Sequence, residues 1–174
     1  KDSSFDQLIC VAIAKHSDFK LEGIEDKRTL LHARLIRDAD KLDNCRVKLE
    51  ESMETLLDMD EKTVGASPIS PKVWESCKAE ESVLSADRKT GMDYWMSYLA
   101  LYFDINFLET YQIIKEQDYI RRIAERVPYS REDTKEKVAY TVKKLEEKMD
   151  GGCDGFCSVL HYALADGSFC SIRR

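Results

Sequence analysis

The sequence predicts an all-α domain, and three observations carry that expectation. Glycine and proline are scarce, 7 and 3 in 174 residues, which disfavours a turn-rich all-β fold. Apolar residues recur every three or four positions through most of the chain, the period of a helix. No segment alternates apolar and polar residues for long enough to suggest a sheet, and no internal repeat is visible.

The elements follow in order. Ser3-Ser4-Phe5-Asp6 resembles a capping box, with Ser3 and Asp6 three apart. The first helix then carries Leu8, Ile9, Ala12 and Ile13 to about His16, and a loop around Gly23 follows. Asp26 caps a second helix, whose apolar positions Leu31, Leu35, Ala39 and Leu42 point toward a core. That pattern continues, with a break, through Val47, Leu49 and Leu56. Gly65, Pro68 and Pro71 punctuate a loop over 64–71, in which Ser70-Pro71 reads as N-cap and first helical position. A short helix over 72–84 centres on Val73, Trp74 and Cys77, and Thr90-Gly91 breaks the chain again. Met92 to Tyr119 is the densest apolar stretch, read as two helices hinged near Asp104-Ile105-Asn106. Its aromatic residues at helical spacing are core, and Asp93 and Asp104 are caps or loop residues. A short helix over Ile120 to Arg126 ends before Pro128, and Ser130 caps a last charged helix to about Met149. Residues 1–150 thus read as one helical domain. The tail, 151–174, differs: it holds Cys153, Cys157, Cys170 and four of the seven glycines.

Composition bounds the function. The chain is 43% hydrophobic and 34% charged, as a globular domain is. A net charge of −6 argues against a nucleic-acid partner, although a local metal or a few cations could still hold a small phosphate. Leu8 to Ala14 is too short an apolar run to span a bilayer and lacks signal-peptide flanks, so no membrane association is expected. Cys10, Cys45 and Cys77, scattered through helical patterns, read as reduced thiols of a cytoplasmic protein. The spacing Cys153-x3-Cys157-x3-His161, with Cys170 beyond, is irregular for structural zinc, and free thiols are the simpler reading. Neither a Gly-rich phosphate loop nor a Gly-x-Ser-x-Gly elbow is present.

The stretch that carries chemistry is Arg37-Asp38-Ala39-Asp40-Lys41-Leu42-Asp43-Asn44. Arg37, Asp40, Lys41 and Asn44 sit at i, i+3, i+4 and i+7, so they share one helix face. A carboxylate flanked by cations stays ionised and suits a hard divalent metal. Arg37, Lys41 and Asn44 could then touch a phosphate or base. The same spacing is also that of a solvated face laced with ion pairs.

The run Ala39-Asp40-Lys41-Leu42 resembles the last conserved motif of the HD-domain metal-dependent phosphohydrolases. The order of blocks supports the resemblance: Ala12 to Ser17 with His16, then this motif, then Thr90 to Phe107, over about residues 5–148. The resemblance implies an HD-like helical bundle, a divalent ion (Mn, Fe, Zn, Ni or Mg) bound by Asp40, and a small phosphorylated substrate near Arg37 and Asn44. It implies catalytic roles for His16 and Lys41. The family's His-Asp doublet is missing, because His16, His32 and His161 precede Ser, Ala and Tyr. The chain is therefore expected to be either a piece lacking the first helices, as its start at Lys1 hints, or a degenerate member. The alternative is a non-catalytic helical regulatory or interaction module, and the apolar face that a truncated bundle leaves bare would favour a homo-oligomer or a partner.

Overall fold

The computed structural model describes residues 5–151. The expectations placed on Ser3, Ser4, Cys153, Cys157, His161 and Cys170 lie outside them. The described residues are all-helical: α1 (Asp6–Lys15), α2 (Lys27–Glu50), α3 (Met53–Leu57), α4 (Glu61–Ala66), α5 (Pro71–Lys78), α6 (Gly91–Ala100), α7 (Leu108–Glu116), α8 (Tyr119–Glu125) and α9 (Glu132–Asp150). Two 3-10 turns, Ser85–Asp87 and Leu101–Asp104, flank α6. None of these helices is long and apolar enough to cross a membrane.

α6 is the axis of the core. Its Met92, Trp95, Met96, Leu99 and Ala100 are fully buried, and α4, α5, α8 and α9 pack around it. Its start is set by a capping box: Thr90 accepts from the Asp93 N–H at 3.0 Å, while the Asp93 carboxylate accepts from the Thr90 N–H. Asp93 is itself buried, and also accepts from the Ser70 N–H and hydroxyl. One carboxylate therefore ties the start of α5 to the start of α6. The bond draws the Ser70 side chain away from its own helix, where Pro71 supplies the first residue without a side-chain cap.

Segment 64–71 is not all loop, because α4 runs through Ala66. Asp60 caps it through the Thr63 N–H at 2.8 Å, and Val64 is wholly buried. Gly65 cannot carry a side chain: an added Cβ would collide with the Pro128 carbonyl. That close approach lets the Gly65 carbonyl accept from the Ser130 N–H at 3.2 Å. Ser130 thus joins α4 instead of capping α9, whose N-cap is Arg131. The hinge expected near residues 104–106 is present between the second 3-10 turn and α7.

α1 runs parallel to the first half of α2. Near its start, Phe5 lies 4.5 Å under the Arg28 guanidinium, and at its end the His16 carbonyl accepts from Arg37. The loop 17–26 returns alongside, turning at Gly23 in the left-handed region. Asp26 caps α2 as expected, accepting from the Thr29 N–H at 2.7 Å. α1 packs chiefly on α2, and its Phe5, Ile9 and Ile13 are exposed.

Candidate functional site

The 37–44 motif lies in the middle of α2, but the face it buries is the opposite of the one expected. Leu35 is 47% exposed, Ala39 is exposed, and Leu42 is only partly covered. The inward face is Arg37, Asp38, Lys41, Cys45 and Lys48, all buried. A charged face can be buried only if its groups find partners, and here the turn 104–107 supplies them.

Asp104 Oδ2 accepts from Arg37 at 2.6 Å and from Lys41 at 2.7 Å, and the Asp104 carbonyl also accepts from Lys41. Burial alone would raise the Asp104 carboxyl, but Lys41 and Arg37 outweigh it and hold it below the ordinary range. Burial pulls Lys41 down, with Asp104 opposing that pull. The second nitrogen of Arg37 donates to the His16 carbonyl at 3.0 Å and to the Asp18 carbonyl. Arg37 therefore fastens the end of α1 and the turn before α7 to one point on α2.

Asp38 works beside it. Its carboxylate accepts from the Asn106 N–H (3.1 and 3.0 Å), the Asn106 amide (2.8 Å) and the Phe107 N–H (3.0 Å). Phe107 is the N-cap of α7 and has no side-chain acceptor of its own. Asp38 thus caps α7 from another helix, where an anion is also favoured by the helix dipole. Burial nevertheless raises its carboxyl above the usual value.

The open side of the same turn carries the other expected site residues. Asp40 is exposed and partly exposed Asn44 leans on it, with its amide 2.9 Å from the Asp40 carbonyl and 3.3 Å from Oδ2. His16 is the C-cap of α1, and its Nδ1 bonds the Ile13 carbonyl at 2.6 Å. A carbonyl only accepts, so the proton sits on Nδ1 and leaves Nε2 as acceptor in the neutral ring. His32 is turned in the same way onto Arg28, at 2.8 Å. Of the five residues singled out from the sequence, His16, Asp40 and Asn44 are thus accessible. Arg37 and Lys41 are internal ties, engaged by Asp104 and by backbone carbonyls.

Sequence reasoning put Asp38 and Asp104 in supporting places and passed over Lys48, Arg88 and Tyr98. Lys48 is buried with its Nζ 3.9 Å above the Tyr98 ring. Arg88 lies 4.8 Å over Tyr94. Cys45 and Cys77 are buried, and burial pushes their thiols up to about 11 and about 12, so neither is a nucleophile. No family model matches the chain, and neither a curated protein nor a solved structure matches it.

Proposed function

We propose that the chain carries one edge of an HD-type metal-dependent phosphohydrolase centre, acting on a nucleotide or another phosphate ester. The observation that supports this reading is the Arg37 tie. It ties the carbonyl of His16, at the end of α1, to a residue three positions before exposed Asp40. In this reading the two accessible side chains, His16 and Asp40, serve one rim, while Arg37 and Lys41 turn inward. In this reading Asp40 is a carboxylate ligand, His16 Nε2 takes or delivers a proton, and Asn44 orients Asp40 and meets substrate. Arg37 and Lys41 are positioning residues and not substrate contacts.

The described residues do not by themselves fit a catalytic metal. They contain no group of three or more His, Cys, Asp or Glu side chains placed to hold one. One carboxylate and one imidazole fall short of the ligands a divalent ion takes. Further ligands would come from outside residues 5–151. The test is metal content of the purified protein after dialysis, with Asp40→Ala beside it. Near-stoichiometric Mn, Fe, Zn or Ni that falls in the variant supports the reading. Equal content in both proteins, or none in either, overturns it.

The bare stripe on α1 favours a second reading, a helical interaction module that pairs with a second copy of itself. Ile13, at 55% exposure, is the most open large apolar residue among the described residues, and Phe5 and Ile9 precede it at four-residue spacing. Solution mass decides: a dimer reduced to monomer by Ile13→Glu supports it, and a monomeric parent chain sinks it.

A further inference from the structure

We propose that the cleft between the loop at 17–19, the segment 82–88 and α6 binds a small phosphate ester, with Arg88 as its anion-holding residue. This cleft encloses about 410 Å³, within the size range of ligand pockets, roughly 300–1,000 Å³. Its apolar lining includes Tyr98, Leu101 and Val83, and its polar lining includes Arg88, Ser17 and Ser85. The inference deepens the reading above, since Ser17 follows His16, but binding here needs no metal.

Arg88 differs from the cations of a second cleft. In the cleft of about 350 Å³ beside α7, α8 and α9, Lys115 pairs with Asp150 and Arg121 with Glu146. Arg88 is half-buried, and among the described residues no carboxylate pairs with it. Its only polar contacts there are two long ones, 3.5 Å to the Ser85 carbonyl and 3.5 Å to the Ser97 hydroxyl. A guanidinium has five N–H donors in a planar fork, so most of that capacity stays unspent. The Tyr94 ring fixes its plane from one side.

Tyr98 adds a second donor. Its hydroxyl has no hydrogen-bond partner among the described residues, and the buried Lys48 ammonium sits on its ring face. The one acid among the lining residues, Asp18, is already paired with Lys15 at 2.9 Å and so opposes an anion less than a bare carboxylate would. The apolar part of the cleft has a claimant too. Leu84 is 48% exposed at its edge, and an aromatic or heterocyclic ester would cover it while the phosphate reached Arg88. Chemistry and shape together select an aryl or nucleoside phosphate over a free inorganic ion.

Binding of phenyl phosphate, benzoate and inorganic phosphate is measured by calorimetry on the full chain in EDTA, which removes any metal contribution. Phenyl phosphate is expected to bind more tightly than either of the others. Arg88→Gln is expected to weaken it about tenfold or more, as loss of a charge-assisted bond does. Tyr98→Phe, which deletes one hydroxyl and leaves the ring in place, is expected to weaken it severalfold and covers the case in which Arg88→Gln unfolds. No binding of phenyl phosphate, equal binding of benzoate, or unchanged affinity in a folded Arg88→Gln variant would overturn the proposal. Because the metal assay and this assay share no reagent, either reading can fail alone.

Discussion

α6 and α2 are both central helices, yet they are held by different forces. α6 is buried on apolar side chains, with Trp95, Met96 and Leu99 at zero exposure. α2 is buried in its middle on Arg37, Asp38 and Lys41, and shows Leu35 to solvent. Apolar burial is non-directional, so α6 tolerates any neighbour of the right shape. A charged face demands specific partners in specific places. The lesson is that α6 supplies stability, while α2 fixes which loops meet where.

That contrast can be broken most violently at α6. Trp95→Ala is expected to cost about 3–5 kcal/mol, the usual range for emptying a core aromatic site, as read by urea unfolding. Next comes Asp38→Ala, which leaves the Asn106 and Phe107 N–H groups without their acceptor. A loss of about 2–3 kcal/mol is expected, with the change in hydrogen exchange concentrated at the start of α7. Asp38→Asn keeps one acceptor oxygen and sheds a buried charge, so it is expected to be much milder. If both variants cost the same, the capping role of Asp38 is wrong.

Asp104→Asn is a smaller perturbation of the same node. Asp104 is 40% exposed, and water screens part of its pairing, so about 1–2 kcal/mol is expected, less than for a fully buried pair. Its sign with pH is definite. The folded carboxyl lies below its unfolded value, so its contribution is complete above the unfolded value, roughly 3.9. The contribution is lost as pH falls through the lower folded value. The gap between parent and variant should therefore stay level near neutrality and close in acid. A gap that widens on acidification would contradict the pairing. Least of all is expected from Leu35→Gln, within about 0.5 kcal/mol of the parent. A large loss there would restore the face that periodicity assigned to the core.

Much of the order of helices was legible in the sequence, because the breaks at Pro68, Pro71, Gly91 and Pro128 are made by residues with restricted or special backbones. The aromatic stripe around α6 was legible for a related reason: bulk and periodicity agree there. On α2 they disagree. Leu31, Leu35, Ala39 and Leu42 form a helical stripe as good as any core face, and partners distant in sequence, above all the turn 104–107 more than sixty residues away, make the charged face the inner one. Periodicity reads one helix at a time and has no access to such a partner. The site motif shows the same limit. Its residues do lie on successive turns of one helix, yet which of them face water depends on where the turn 104–107 lands. Arg88 escaped notice because a lone arginine in a loop carries no pattern.

Arg37, Asp38 and Lys41 gather chain that is distant in sequence: Arg37 reaches back 21 residues to His16 and forward 67 to Asp104. Contacts of α1 with α2 close a short loop and can form early, whereas those to Asp104 must await a long one. Until that segment arrives, two cations of α2 would face an apolar interior without a counter-ion. Water is their better neighbour, so the middle of α2 stays hydrated while α6 collects its helices. Docking of α2 is therefore expected to be a late event in folding, and substitutions at Asp104 should speed unfolding while leaving the folding rate almost untouched.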